Sequence, residues 1–406
     1  MAFVRNPEPG KDIARFMGMT AARRELIAAA PDTLPEAEFG VNRLAASLHP
    51  GLMRARVVEK ASAGTDCWQI TLQSLREDGR FPYFRAGQFV ALSAKVGESF
   101  VTRPYSVVSS PRAALAGVLQ IIVQRKRGGL FSAFLIDEAE IGSDLWVSEP
   151  AGDFYHDDLR DCAHVVAVAG GSGATPFISM AKAICEGSED FRLTLIAGAR
   201  TRAQLCFDAD AFDGAAEGRI RVVPVLSEED VPGMRHGFIT ADVLREFVDG
   251  NTSVFMCGPD GMYAFVGGEL AKLGVEPSRI RRERNAVGDR VVEEPATYNL
   301  TVRIRDAVCT IPASGAETLV CAMERAGIAA PVRCKNGSCG FCHSRLVSGE
   351  YVVAPENDFR RAADWKFGYI HPCCTYPLSD MEIDVPPLGV AASTSDIDVP
   401  IFEAEE

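Results

Sequence analysis

The sequence predicts a multi-domain chain: a small antiparallel β-barrel, then an α/β doubly wound parallel sheet, then a smaller α+β unit. Three observations predict it. Residues 52–155 run as short alternating segments broken by Gly, Pro and charged turns. At residue 163 the rhythm changes to continuous apolar runs that alternate with amphipathic stretches. Residues 298–388 hold alternating segments, one helical stretch and a loop, "CKNGSCGFC", with three cysteines in nine positions.

The bulk properties agree. A chain of 406 residues suits about two to four domains, and 47% hydrophobic with 24% charged residues can bury substantial cores. The longest apolar runs, such as "HVVAVAGG" and "LTLIAGA", are too short for a bilayer, so no membrane span is expected. The opening "MAFVRNPEPGKDIARF" has no basic segment leading into an apolar one, and a cytoplasmic location is expected. A net charge of −13 argues against nucleic-acid binding, which needs a basic footprint. It is compatible with a basic protein partner, although acidity more often serves solubility.

Taken in order, residues 1–51 form an N-terminal extension with a helical run, "KDIARFMGMTAARRELIAAA", and a Pro-punctuated loop, "PDTLPEAEFG". Neither carries recognisable chemistry. Residues 52–155 supply the barrel strands "RARVVEKA", "CWQITLQS", "GQFVALSAKV", "VLQIIVQRK" and "DLWVSEP". Residues 160–275 give "AHVVAVAGG", a turn opening into the helix "SGATPFISMAKAICEG", then "RLTLIAGA", "RIRVVPVLS" and "TSVFMCGPDGMYAFVGGELAKLG". Residues 276–297 read as a charged linker, 298–388 as the last domain and 389–406 as an acidic, mobile tail.

Twelve cysteines in a cytosolic chain do not suggest a disulfide framework. Cys67, Cys162, Cys185, Cys206, Cys257, Cys309 and Cys321 are scattered among apolar neighbours and read mostly as small buried hydrophobes. Cys334, Cys339 and Cys342 are different. They read C-x4-C-x2-C, with Cys373 following 31 residues after Cys342, the spacing of a plant-type [2Fe–2S] centre. Four thiolates must converge on two irons, and Gly337 and Gly340 let backbone amides approach the sulfurs. A zinc site favours two CxxC pairs or mixed Cys/His ligands, and a redox disulfide needs neither the fourth cysteine nor the glycines.

"CKNGSCGFCHSRLVSGE" resembles the loop of the plant-type ferredoxin domain, which implies a β-grasp fold. In that family the fourth ligand stands four positions before P-L-S-D, which implies Cys373 in "HPCCTYPLSD". Cys374 departs from that family's pattern and reads first as a packed neighbour, with tuning of the cluster or substitution as a ligand as the alternatives, and His343 reads as an exposed turn residue.

A [2Fe–2S] centre takes one electron at a time, so a hydride donor needs a two-electron converter, which a flavin provides. "GQFVALSAKVGESFVTRPYSVVSSP" carries Arg103, Pro104, Tyr105 and Ser106, with "GGLFSAFL" and "EPAGDF" downstream. This order resembles the flavin domain of the ferredoxin–NADP reductase superfamily. The resemblance implies that Arg103 pairs with the flavin pyrophosphate, Tyr105 packs on the isoalloxazine and Ser106 bonds near N5. It also brings Gly129 and Ser132 to phosphate. "VVAVAGGSGATPF" is strand, glycine turn and helix, in which Gly170, Gly171 and Gly173 would admit a pyrophosphate to the helix N-terminus. It resembles the superfamily's G-G-x-G-x-T-P, with Thr175 and Pro176 closing the motif. "MCGPDGMY" matches its C-G-P element, which implies Cys257, Gly258 and Pro259 near the nicotinamide and Thr175 at the flavin–nicotinamide contact.

The resemblance covers residues 52–388. In module order the chain is similar to reductase components of multicomponent oxygenases, and most to those with a C-terminal ferredoxin unit, the phenylacetyl-CoA epoxidase and hybrid-cluster-protein reductases among them. It implies an enzyme that takes hydride from NAD(P)H onto a flavin and passes single electrons through one [2Fe–2S] cluster to a protein acceptor. The "GGLFSAFL" form favours FAD over FMN. Arg200 and Arg202 could bind a 2′-phosphate and select NADPH, yet arginines recur here in NADH-using relatives, and NADH is slightly favoured. Tyr105, Ser106, Thr175 and Cys257 are the expected catalytic set. Two rival readings are a diaphorase acting on a small acceptor and a redox-sensing subunit of a larger complex.

Overall fold

The computed structural model describes residues 9–29, 51–284 and 286–386. It divides into two units, Met1–Ser47 and Leu48–Glu406. In the first, the Ala- and Arg-rich run forms the helix α1 (Pro9–Ala29), on which Met17, Met19 and Leu26 are exposed. The Pro-punctuated loop and the tail from 389 lie outside the described residues. Among the described residues no helix is long and apolar enough to cross a membrane.

The second unit contains the three expected architectures. Six antiparallel strands form the barrel: β1 (Met53–Gly64), β2 (Cys67–Ser74), β3 (Phe89–Val96), β4 (Ser99–Ser106), β5 (Val118–Gln124) and β6 (Asp144–Val147), in the order β4-β3-β6-β1-β2-β5. The period-two pattern drives it. Met53, Ala55 and Val57 point into a core with Ile70, Leu72, Phe81 and Leu92, while Arg54 and Arg56 point out. The strand that carries Arg103–Ser106 is β4, an edge strand.

The parallel sheet follows: β7 (His164–Gly170), β8 (Arg192–Ala199), β9 (Ile220–Leu226), β10 (Arg235–His236), β11 (Thr252–Cys257) and β12 (Ile280–Arg282), in the order β10-β9-β8-β7-β11-β12. Strand β7 is a continuous apolar run because both its faces are covered. Val165, Ala167 and Ala169 pack towards Phe177, Ile178 and Ala181 of helix α2 (Thr175–Cys185). Val166 and Val168 pack towards Val266 and Leu270 of α3 (Asp260–Lys272). The stretch expected as a linker from 276 begins instead with β12, whose Ile280–Arg282 pair in parallel with Val254–Met256. Its arginines hid it, because an edge strand can carry charge.

The last domain is a five-stranded sheet in the order β14-β13-β19-β15-β17 with a short ribbon, β16–β18. Its strands are β13 (Thr297–Ile304), β14 (Ala307–Ser314), β15 (Ser344–Ser348), β16 (Tyr351–Val352), β17 (Tyr369–Ile370), β18 (Tyr376–Pro377) and β19 (Met381–Asp384). Helix α4 (Leu319–Arg325) lays Leu319, Val320, Ala322 and Met323 on this sheet, and a short α5 (Ala362–Phe367) lies before β17. The grasp of one helix by a mixed sheet is the fold expected for 298–388.

Candidate functional site

The parallel sheet opens at its switch point, where β8 and β11 leave β7 on opposite sides. There the glycine turn after β7 meets the turn after β11. The contact is close enough to forbid side chains: a β-carbon on Gly173 would stand 2.0 Å from the Cys257 carbonyl oxygen, and one on Gly170 would stand 2.9 Å from Met262 Sδ. Gly171 is the opposite case. Its φ is +55°, and a β-carbon there would meet only Gln124 Oε1, at 3.9 Å, so it faces open space. No side chain caps α2, and Thr175 Oγ1 donates to the Ser172 carbonyl at 2.9 Å. The first two positions of α2 offer no free amide, since Thr175 N–H donates to the Ser172 carbonyl and Pro176 has none, so an approach to the cleft here is over the glycine turn.

These turns form one wall of a cleft of ≈ 830 Å³, a volume that suits a cofactor site. Pro104, Tyr105 and Ser106 of β4 line it, as do Gly170, Gly171, Gly173, Thr175, Arg200, Cys257, Gly258 and Pro259. The Tyr105 ring stands 6.3 Å from that of Phe131, and burial pushes its phenol up, so it stays neutral. Burial likewise pushes the Cys257 thiol well above its ordinary value, which keeps it a thiol and not a nucleophile.

Five of the expected residues are not brought to this cleft. Arg103 does not line it: its Nη1 lies 2.8 Å from both carboxylate oxygens of Glu324 and 2.7 Å from the Thr102 carbonyl. Ser132 turns back on its own loop, accepting from the Lys126 amide and donating to Gly129 O, both at 3.2 Å, and neither Ser132 nor Gly129 reaches the cleft wall. Arg202 is held at the surface by Asp210 at 3.0 Å, whereas Arg200 lines the cleft and has no ion pair among the described residues. Pro176 is buried in the first turn of α2, behind the lining.

One functional candidate went unread in the sequence. Glu283 lines the cleft just after β12, and burial pushes its carboxyl up to about 8. Its amide donates to Met256 O at 2.9 Å, and its carbonyl accepts from Tyr263 Oη at 2.9 Å, which ties it to the turn of Cys257. It sat inside the supposed linker; the only signal was a carboxylate following an alternating "RIRR".

The cysteine loop forms the far wall. Cys334, at 2% exposure, and Asn336 line the same cleft as Tyr105 and Cys257. The Cys334 thiol is held low by donation from the thiols of Cys339 and Cys373, and Cys373 also contacts Cys342. Backbone amides of Asn336 and Phe341 donate to Cys334 Sγ and Cys339 Sγ, both at 3.5 Å. Lys335, Gly337 and Gly340 all take left-handed backbone, which wraps the loop around the four sulfurs. His371, two residues before Cys373, has a buried Nδ1 without a partner. No three His, Cys, Asp or Glu among the described residues are arranged around a single ion. Four thiols linked in the order Cys339–Cys334–Cys373–Cys342, two of them with amide donors, fit a two-iron cluster.

Neighbours of the loop depart from expectation in detail. His343 is not an exposed turn residue: its ring stacks on Tyr369 at 4.1 Å and its Nε2 lies 2.8 Å from Asp364, because α5 folds over it. Cys374 is buried, with Sγ 3.5 Å from Asn357 O and 3.4 Å from His371 O. His156 and His164 bond Cys162 O and Thr194 Oγ1 respectively, each at 3.0 Å.

Comparison with known proteins assigns the three modules. Residues 54–156 match the oxidoreductase FAD-binding domain, 167–267 the oxidoreductase NAD-binding domain and 302–378 the 2Fe-2S iron-sulfur cluster binding domain. The chain is 28% identical over 321 residues to the NADH oxidoreductase HCR of Escherichia coli (strain K12), covering 78% of this chain and 92% of that protein. It is 30% identical to the Amycolatopsis cytochrome P450 reductase GcoB, with a TM-score of 0.50 over 58% of this chain and 70% of that one. The structure of phthalate dioxygenase reductase shares the fold, at 22% identity and a TM-score of 0.61, over 83% of this chain and 98% of its own. The chain thus belongs to the ferredoxin–NADP reductase superfamily of flavin reductases that carry a C-terminal [2Fe–2S] domain: it is an oxidoreductase that takes hydride from NAD(P)H onto FAD and passes electrons singly through one cluster.

Proposed function

We propose that this chain is the reductase component of a two-protein or larger redox system, delivering electrons from NADH, and less well from NADPH, to a separate oxygenase-type protein in the cytoplasm. One observation carries the reading. The loop that presents Cys334 and Asn336 to the cleft presents Cys339 and Phe341 to solvent, so the same nine residues touch the electron source and face outward. The reductases of cytochrome P450 and phthalate dioxygenase, to which the chain is similar, are named for such acceptors.

Bound FAD would supply the conversion of a two-electron hydride into single electrons, and the cluster their one-at-a-time carriage. The chain's own residues do the positioning. Tyr105 and Ser106 hold the flavin ring side of the cleft. Gly170, Gly171 and Gly173 hold the dinucleotide pyrophosphate, with Arg200 beside its ribose. Cys257 and Thr175 pack the reacting ring without ionising. Glu283, largely protonated at neutral pH, donates a hydrogen bond into the cleft. Cys334, Cys339, Cys342 and Cys373 are the cluster's ligands.

The test is anaerobic stopped-flow mixing of the FAD- and cluster-loaded protein with NADH and then NADPH, with EPR on the end point. Flavin bleaching followed by a one-electron cluster signal supports the reading, and the faster nucleotide identifies the donor. Bleaching with the cluster still oxidised would move a direct diaphorase ahead. For the acceptor, a reduced cluster should be reoxidised faster by a cognate protein than by ferricyanide-type dyes at equal concentration.

A further inference from the structure

We infer that Glu324 is a positioning residue for internal electron transfer, holding the ferredoxin-type domain on the flavin barrel through Arg103 and bracing that domain's cysteine loop through Lys335. The inference rests on the flavin-to-cluster reading above.

Glu324 stands in the last turn of α4 and is 5% exposed. A carboxylate there is doubly disfavoured, being both desolvated and at the negative end of a helix. It is retained because three donors converge on it. Oε1 accepts from Arg103 Nη1 at 2.8 Å and from the Thr102 amide at 3.1 Å; Oε2 accepts from Arg103 Nη1 at 2.8 Å and lies 3.8 Å from Lys335 Nζ. Thr102 and Arg103 belong to edge strand β4, two or three positions before Tyr105 and Ser106 at the cleft. Lys335 follows Cys334 directly; it is 3% exposed, takes left-handed backbone, and sets its Nζ 3.2 Å from Cys321 Sγ.

Glu324 therefore connects the strand that presents the flavin-facing residues to the loop that presents the cleft-side cysteine. A second pair of opposite polarity lies beside it: Arg333, preceding Cys334, reaches Glu149 of the barrel at 2.8 Å. Cys334 is thus flanked by Arg333, tied ionically to the barrel, and by Lys335, whose partner Glu324 is itself tied to Arg103 of the barrel. Electron transfer rates fall steeply with separation, so a device that fixes Cys334 against the flavin side of the cleft sets that rate. It leaves the hydride step, made on the opposite wall by Thr175 and Cys257, untouched. Removing the carboxylate leaves Arg103 and Lys335 as neighbouring, part-buried cations without their common partner, which pushes the domains apart.

The experiment compares the full-length, FAD- and cluster-loaded wild type with Glu324→Gln in anaerobic single turnover with NADH, and measures amide hydrogen exchange at Thr102. Loss of a close, desolvated interdomain charge pair should slow cluster reduction by roughly tenfold or more and speed exchange at Thr102 by a similar factor, with flavin bleaching within about twofold. Exchange in β7 and β8 should not change. Cluster reduction and Thr102 exchange both at wild-type rates in a fully loaded variant would overturn the inference. If Glu324→Gln does not retain its cofactors, Glu149→Gln decides. Selective slowing of cluster reduction there supports the clamp, and an unchanged rate overturns it. Wild-type protein whose flavin bleaches while its cluster stays oxidised would instead overturn the functional reading on which the clamp rests.

Discussion

Gly173 lies directly under the Cys257 carbonyl, with room for a hydrogen and nothing larger: a β-carbon would stand 2.0 Å from the oxygen and 2.9 Å from Gly258 Cα. Two turns from strands adjacent in the sheet but remote in sequence are thus pressed together where the dinucleotide is proposed to lie. Gly173→Ala should force them apart, lowering stability by roughly 1–3 kcal/mol as other overpacked sites do, and raising the NADH concentration for half-maximal flavin reduction. Gly171→Ala is the control. Its methyl enters open space, so the stability loss is limited to roughly 1–2 kcal/mol of left-handed backbone strain. Thermal unfolding of both variants checks this, and equal destabilisation would contradict the packing argument; NADH titration is read on Gly173→Ala alone, because Gly171 itself faces the proposed pyrophosphate.

Glu283 predicts a pH dependence. Its carboxyl is raised from 4.5 to about 8 by burial, so the folded protein holds a proton there that the unfolded chain has already lost. The stability this site contributes is complete below about pH 4.5 and is lost as pH rises through 8. Glu283→Gln keeps the shape without the titration. Between pH 5 and 8 the wild type should lose roughly 1–3 kcal/mol relative to the variant, measured by denaturant unfolding at each pH. The hydride step should likewise fall above pH 8 in the wild type and stay flat in Glu283→Gln. Parallel pH curves for the two proteins would remove Glu283 from the site.

What the sequence disclosed and what it concealed divide along a physical line. Cys334, Cys339 and Cys342, the glycine turn at 170–173 and Pro104–Ser106 could be picked out because each chemistry needs several residues at fixed short spacing. The barrel and the parallel sheet were legible because burial on one face or two writes period-two or continuous apolar runs. Glu283 was missed because its partners, Tyr263 and Met256, come from another strand and helix, and its own neighbours are arginines. Glu324 reads as an ordinary helical glutamate; only the fold brings Arg103, 221 residues away, onto its carboxylate. The same long-range pairing gives Arg103 Nη1 a carboxylate partner that no local motif shows. His343 looked exposed because the helix that covers it, α5, comes some twenty residues later.

The two adjacent cysteines near the C-terminus should behave differently. Both are buried, but Cys373 contacts the thiols of Cys334 and Cys342, whereas Cys374 touches only the Cys373 thiol among them and sets its Sγ against the carbonyls of Asn357 and His371. A serine hydroxyl at 374 can donate to those carbonyls as well as a thiol does. Cys374→Ser should therefore retain the cluster's iron, sulfide and visible absorbance, while Cys373→Ser should lose most of them. Cys373→Ser should still bleach its flavin with NADH, because the hydride site lies on the other wall. Iron and sulfide assays with EPR of the dithionite-reduced proteins check this, and cluster loss in Cys374→Ser alone would exchange the two assignments.

Nucleotide choice is expected to rest on one arginine of the two. Arg202 is held by Asp210 at 3.0 Å and its backbone amide by Glu229 at 2.7 Å, so its side chain already has an anionic partner away from the cleft. Arg200 lines the cleft at the end of β8, where the second strand of such a sheet meets the adenosine ribose. A charge-assisted bond from Arg200 to a 2′-phosphate carries roughly 1.5–3 kcal/mol, so Arg200→Ala should lower kcat/KM for NADPH by about tenfold or more. The value for NADH, which has only a hydroxyl there, should stay within about twofold. Arg202→Ala should change neither ratio by more than about twofold, because an exposed ion pair contributes little. Steady-state flavin reduction with both nucleotides measures the ratio directly. A selectivity shift in Arg202→Ala with none in Arg200→Ala would mean that the loop closes over the bound nucleotide, breaking the Arg202–Asp210 pair to bring the second arginine in.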